Sequence, residues 1–248
     1  MTTRAIILAA GRGSRMREMT EDRPKGLVEL AGKPLVGWQT DALRRAGIDE
    51  IVIVTGYRGA QLAPFADRTV ENADWATTNM VTSLMCAAGE IDRPVIISYS
   101  DIVYAPDAVR QLAGVAGETA MAYDRDWLSL WSRRFDDPLS DAETFRAAAD
   151  GSIAEIGGKT DTLADIQGQY MGLLRFTPAT IAAIRAITDE SERAKLDMTS
   201  LLMRLIRSGH KIQGTGISGG WCEVDSVEDL KLANELVAEG KLTPPASA

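Results

Sequence analysis

The stretch Arg4–Met16, RAIILAAGRGSRM, decides how the rest of the chain is read. Arg4 to Ala9 is an apolar run ended by glycine, the pattern of a strand buried on both faces. Gly11 and Gly13 then let backbone N–H groups come close to an anion, and Arg12 and Arg15 set positive charge beside them. Lys25, in RPKGLVEL, adds a further cation where a triphosphate would lie. Taken alone, the same residues serve equally as a tight turn with solvated arginines. Two better-known glycine loops are excluded. A dinucleotide fingerprint needs a third glycine where this chain has Met16, and GxxxxGK[ST] is absent; Gly26 to Lys33 comes nearest, with the wrong spacing and Pro34 after the lysine.

Outward from that strand, helix and strand patterns alternate. Pro34 to Ala46 predicts a helix with Leu35, Trp38, Leu43 and Ala46 inward, stopped by Gly47. Ile51 to Thr55 predicts a second buried strand, Val81 to Ala88 a short helix, and Val95 to Ser98 a third strand leading to Asp101. Such alternation implies a parallel α/β sheet. After Thr119 to Tyr123 it breaks: Thr144 to Ala149 and Ser152 to Ile156 flank Asp150-Gly151, a hairpin signal. Helical pattern returns at Pro178 to Ile187, behind Thr177, and at Met198 to Ile206; a last helix starts at Ser226, whose S-x-x-D with Asp229 resembles a capping box. The expected organisation is one domain over residues 1–240, with an insertion over about 124–175, and a flexible tail over 241–248.

Composition narrows the function. With 45% hydrophobic and 25% charged residues, the 248-residue chain is typical of soluble globular proteins. Its formal charge of −8 repels nucleic acid, so a polyanionic substrate needs a local basic cradle and a metal ion. The longest apolar runs, Ala5 to Ala10 and Leu201 to Leu205, are far short of the ~20 residues that span a bilayer, and Met1 to Ala10 lacks a signal-peptide layout. No membrane contact and a cytoplasmic location are the expectation. Cys86 and Cys222 have no CxxC partner and read as free thiols; His210, the only histidine, reads as a turn residue.

The combination LAAGxGxRM plus PKxLVEL resembles the signature of the nucleotidyltransferases that activate sugar phosphates and phosphocholine, and comes nearest to the phosphocholine cytidylyltransferase branch. The resemblance implies a GT-A-like α/β fold: a mostly parallel, Rossmann-like central sheet flanked by helices, with a small antiparallel insertion. It assigns Leu8, Ala9, Ala10, Gly11, Arg12 and Gly13 to the nucleotide phosphates, Arg15 to their β/γ end and Lys25 to the attacked α-phosphate. Magnesium, the implied cofactor, needs carboxylates. Asp101 follows the third strand, at the edge where open α/β sheets bind ligands, although a turn aspartate fits that place equally. Asp225 lies in GWCEVDSVEDL, Gly220 to Leu230, which resembles the family's closing motif W-x-E-[IV]-D-[ST]-x-x-D; a helix-entry acid is its ordinary alternative.

The substrate pockets are less sharply marked. Asn72 to Leu84 resembles the cytidylyltransferase segment N-x-x-Y/W-x-x-x-N-x-x-S-L, with one residue more between Asn79 and Ser83, making these two base readers or, equally, helix caps. On the acceptor side the resemblance points to Lys159, Tyr170 and Gly172. Trp127, Trp131 and Tyr170 would cage a quaternary ammonium, whereas Arg133 and Arg134 in the same pocket would favour a carboxylate-bearing acceptor. Arg133 and Arg134, followed by Asp136 and Asp137, also fit a solvated surface run. The expected reaction is transfer of CMP from CTP to a small anionic phosphate or phosphonate acceptor, with pyrophosphate leaving. A sugar-1-phosphate nucleotidyltransferase using UTP or another NTP, and a nucleotide-binding module without turnover, are the alternatives; a homodimer is compatible with each.

Overall fold

The computed structural model describes residues 3–242. Its centre is a sheet of β1 (Arg4–Ala9), β2 (Glu50–Thr55), β3 (Arg68–Glu71), β4 (Val95–Tyr99), β5 (Thr119–Asp124), β6 (Gln169–Phe176) and β7 (Ile212–Ile217), in the order β7-β5-β6-β4-β1-β2-β3. All are parallel except β6, which runs against both β4 and β5. Strand β1 sits inside: Ile6 is paired with Val52 and Ile97, Leu8 with Val54 and Tyr99, and each of its residues is buried. Burying an aliphatic side chain of this kind stabilises by about 1.5–3 kcal/mol, so this apolar strand holds the centre of the molecule.

Helices α1 (Leu35–Arg45), α2 (Met80–Cys86), α3 (Pro106–Ala113), α4 (Trp127–Arg134), α5 (Pro178–Ile187), α6 (Glu190–Arg193), α7 (Met198–Arg207) and α8 (Val227–Ala238) flank the sheet. The periodicity that predicts α1 buries Leu35, Trp38 and Leu43, and Trp38 donates its indole N–H to the Leu30 carbonyl at 3.0 Å. Gly47 follows the helix at φ 90°, a left-handed turn that glycine takes without strain. Thr177 and Ser226 are N-caps, each within a capping box. No helix among the described residues is long and apolar enough to cross a membrane.

Strand β3 and helices α3, α4 and α6 have no counterpart in the sequence reading. β3 is an edge strand, RTVE, with mostly exposed side chains, so no apolar run marks it. The expected hairpin is present: Phe145–Ala147 pairs with Ile153–Ile156 across a turn in which Gly151 has φ 79°. The expected insertion over 124–175 is narrower, because residues 169–175 belong to β6; the excursion from the sheet covers 125–168. Two residues of the tail expected over 241–248 are held against the domain. Leu242 is 2% exposed, and the N–H groups of Lys241 and Leu242 both donate to the Leu236 carbonyl, wrapped back by Gly240 at φ 70°. The remainder of that expected tail, residues 243–248, lies outside the described residues.

Candidate active site

The glycine turn leaves β1 at the edge where the parallel strands end. Gly13 is left-handed, at φ 76° and ψ 53°, and a Cβ there would lie 2.6 Å from Lys25 Cβ. Glycine is therefore needed twice, for the backbone conformation and for the close passage of the lysine stem. That stem runs inward, and Lys25 is 5% exposed. Its ammonium donates to Asp101 Oδ2 at 2.9 Å and to Asp225 Oδ1, while Asp225 Oδ2 meets the guanidinium of Arg15. Arg15 is otherwise open to solvent. Arg12 donates to the Thr20 carbonyl at 3.2 Å and lies 5.7 Å over the Tyr57 ring.

Residues 101 and 225 are brought together by a strand pair. Ile102–Tyr104, just after Asp101, pairs antiparallel with Trp221–Glu223, just before Asp225, and the Val224 N–H donates to the Asp101 carbonyl at 2.7 Å. Burial works against the charge on Lys25, but Asp101 and Asp225 outweigh it and hold the ammonium above its ordinary pKa. Glu223, beside them, is pushed up to about 7, by burial first and then by repulsion from Asp101, against the pull of Arg134.

This donor set suits a hard divalent cation. Asp101 Oδ1 is buried with no hydrogen-bond partner, and Asp225 is the second carboxylate on the same ammonium. No cage of three or more His, Cys, Asp or Glu side chains exists among the described residues. Magnesium does not need one, since it takes one or two carboxylates and completes its shell with substrate oxygens and water.

Two cavities adjoin this centre. One, of about 150 Å³, is lined by Leu8, Ala10, Gly11, Trp75, Asn79 and Ser83, among others. Asn79 caps α2 by accepting from the Met80 N–H at 2.8 Å, and Ser83 accepts from the Asn72 amide at 3.0 Å. Both residues thus hold the cavity wall as well as facing it. The second cavity, of about 320 Å³, is lined by Arg15, Glu143, Tyr170, Gly172, Asp197 and Glu223, among others. Because β6 is reversed, its first residues reach the edge where its neighbours end, which is why Tyr170 and Gly172 are here. Gly172 has φ 74°, and a Cβ on it would lie 2.8 Å from the Tyr99 ring, which in turn packs edge-on to Tyr170 at 5.7 Å. Lys159 is exposed and acts electrostatically on Glu143.

Lys159 does not line the second cavity, and three further residues expected at the acceptor are elsewhere. Trp127, Leu130, Trp131 and Arg134 share the inner face of α4, at spacings of three and four. Trp131 is 1% exposed, with its ring 6.1 Å from that of Trp221, so the proposed aromatic cage does not form around it. Arg133 pairs with Glu235 of α8 at 3.3 Å and with Glu239, just past its end, at 2.9 Å. The Arg134 side chain is 3% exposed, 2.8 Å from Asp229 and 2.9 Å from Glu223. None of the three lines the second cavity, because carboxylates on α8 and beside it take both guanidinium groups.

Sequence reasoning passed over Glu143, Gln169, Asp197 and Thr199, which do line it. Glu143 is held above the usual carboxylate range by burial, with the Thr199 hydrogen bond opposing and Asp197 adding repulsion. Asp197 carried a readable signal, but of a helix cap: it accepts from the Ser200 N–H at 2.7 Å at the start of α7.

A glycine turn, a buried lysine and two aspartates converging on one edge of a mostly parallel sheet define a nucleotidyltransferase, and comparison with known proteins gives the same class. Residues 5–159 match the MobA-like NTP transferase domain, and the chain belongs to that family. It is 36% identical over 251 residues to the CTP:phosphoglutamine cytidylyltransferase of Campylobacter jejuni, an alignment covering 93% of this chain and 99% of the relative. In fold it is similar to the CTP:phosphocholine cytidylyltransferase of Streptococcus pneumoniae, with a TM-score of 0.72 at 22% identity over 96% of this chain and 100% of the other. The inositol-1-phosphate CTP transferase of T. maritima superposes with a TM-score of 0.76 at 19% identity, over 95% and 96% of the two chains.

Proposed function

We propose that this chain transfers CMP from CTP to a small acceptor bearing a phosphate or phosphonate, with release of pyrophosphate. The observation that carries the proposal is the meeting of Lys25 with Asp101 and Asp225 directly behind the Gly11–Gly13 turn. The acceptor oxygen forms a bond to the α-phosphorus as the bond to the pyrophosphate oxygen breaks, in line, with no covalent enzyme intermediate. Amides at the glycine turn and the guanidinium of Arg15 hold the leaving phosphates, and Lys25 meets the charge developing on the α-phosphoryl oxygens. Asp101 and Asp225 fit as ligands of magnesium, which when bound supplies charge neutralisation at the phosphates. Asn79 and Ser83 face the cavity beside the turn, where a pyrimidine edge would meet amide and hydroxyl groups.

The chemistry of the second cavity bears on the acceptor. Its wall carries Glu143, Asp197 and Glu223, and its one arginine, Arg15, already meets Asp225. This favours an acceptor with a cationic group at the end remote from its phosphate, and the support for a carboxylate-reading pocket falls away with Arg133 and Arg134. The 36% identity to a cytidylyltransferase for phosphoglutamine, a phosphorylated amino acid with both an amine and a carboxylate, is compatible with an amine-bearing acceptor.

A pyrophosphate-release screen of CTP, UTP, ATP and GTP against amino-alkyl phosphates, aminophosphonates, phosphorylated amino acids and hexose 1-phosphates tests the reading. Turnover requiring CTP and an amine-bearing acceptor is expected. Turnover with hexose 1-phosphates alone rejects the acceptor class, and NTP binding without turnover in any pairing rejects the transferase.

A further inference from the structure

Arg134 lines neither cavity, yet its guanidinium is held on several sides. Its side chain is 3% exposed, and it stacks 4.6 Å from the centroid of Trp131 and 5.1 Å from that of Phe135. Nε donates to Asp229 Oδ1 at 2.8 Å and Nη2 to Asp229 Oδ2 at 3.3 Å, a two-pronged grip, while Nη1 donates to Glu223 Oε2 at 2.9 Å. Its two acids stand on either side of Asp225 in the chain.

What Asp229 does with its other bonds gives this arrangement a direction. Asp229 Oδ2 accepts from the backbone N–H of Asp225 at 3.1 Å, from the N–H of Ser226 at 2.9 Å and from Ser226 Oγ at 2.9 Å. The carboxylate therefore fixes the backbone at Asp225 itself, and the arginine fixes the carboxylate. On the other side, Glu223 belongs to the strand pair that brings Asp225 to Asp101. A tie that served only to dock α4 on α8 would need one carboxylate on α8, and Arg133 already provides such a tie through Glu235 and Glu239.

We infer that Arg134 is a positioning residue for the metal-binding carboxylate Asp225, acting through Asp229 on one side and Glu223 on the other. The inference rests on the reading of Asp225 as a cation ligand. Groups that orient a ligand without touching the ion usually matter to metal affinity by roughly ten- to a hundred-fold. Lysine offers a point charge without the planar fork, so it replaces arginine here only in part.

The test is a Mn²⁺ titration of the full chain with CTP present, followed by electron paramagnetic resonance, alongside the KM for CTP at saturating metal and the melting temperature. In Arg134→Met, whose side chain still packs on Trp131, Mn²⁺ affinity is expected to fall roughly tenfold or more, with the KM for CTP at saturating metal nearly unchanged and Arg134→Lys intermediate. Wild-type Mn²⁺ affinity in a folded Arg134→Met protein overturns the inference. Should that variant fail to fold, Asp229→Asn carries the same test. The amide keeps an oxygen for the Asp225 N–H but takes the carboxylate from Arg134, so metal affinity must fall, and unchanged affinity overturns the inference. If the wild type itself binds no Mn²⁺, the assignment of Asp225 falls and takes this inference with it; variants that match a metal-binding wild type sink the inference alone.

Discussion

Replacing Lys25 by methionine separates the counter-charge it supplies to Asp101 and Asp225 from the role proposed for it as a cation of the reaction. At 2.9 Å from Asp101 Oδ2, an ammonium and a carboxylate attract by about 6 kcal/mol at an effective dielectric of 20, most of it offset by desolvation of a side chain only 7% exposed. Removing one member of a buried pair costs about 3–5 kcal/mol. Here the lower end applies, because the Asp101 and Asp225 side chains keep 19% and 11% of their exposure and Arg15 still meets Asp225. A loss of about 3 kcal/mol lowers the melting temperature of a domain this size by roughly 6–12 °C. In the reaction, loss of one preorganised cation at the transferring phosphoryl group lowers kcat by about 10²–10³. Calorimetry with and without magnesium, and coupled pyrophosphate release at saturating CTP, measure both. Added magnesium should restore more of the melting temperature in Lys25→Met than it adds to the wild type, because a divalent cation then faces two carboxylates without a competing ammonium. A variant that melts with the wild type, gains nothing extra from magnesium and keeps its kcat within about threefold refutes the reasoning, since the expected loss in kcat is at least about a hundredfold.

Other consequences are checked more simply. Gly172→Ala places a non-glycine residue at φ 74° with its Cβ 2.8 Å from the Tyr99 ring; urea unfolding should show a loss of about 1–2 kcal/mol or more, and acceptor KM should rise before CTP KM does. Glu143→Gln removes a carboxylate from the second cavity, so acceptor KM should rise roughly tenfold with CTP KM unchanged, whereas a change in CTP KM instead would place Glu143 on the nucleotide side. Asp67 accepts from the Ile51 N–H at 2.6 Å and pairs with Arg44 at 2.5 Å; burial opposes these contacts, which nevertheless hold its carboxyl below the ordinary range. A depressed pKa gives stability that is present above the unfolded value of about 3.9 and is lost as pH falls through the folded one, so Asp67→Asn should flatten the fall in urea midpoint below pH 4.

The elements of the sheet interior were legible because burial on both faces writes itself as continuous apolar runs, as in Ala5–Leu8 and Ile51–Val54. The glycine turn was legible for a different reason: Gly13 answers to a backbone angle and a 2.6 Å approach, constraints that admit one residue type. Arg133 and Arg134 were misread because an arginine beside tryptophans looks the same in sequence whether it meets substrate or acids on a distant helix. Their partners, Glu223, Asp229, Glu235 and Glu239, lie roughly a hundred residues downstream, and only the docking of α8 on α4 brings them together. Glu143 escaped notice because it lies in no motif and meets the cavity only after the 125–168 excursion folds back.

The reversal of β6 has an architectural outcome. Since β5 and β6 are adjacent and antiparallel, the polypeptide departs and returns on the same side of the sheet, so 125–168 amounts to an enlarged hairpin turn. The entropy of closing such a turn grows only slowly with its length. Changes in the length of that segment beyond α4 thus leave the pairing of β1, β2 and β4 intact, so the wall holding Glu143 can be remodelled apart from the sheet, whereas α4 itself, which carries Arg134, is tied to the Asp225 side.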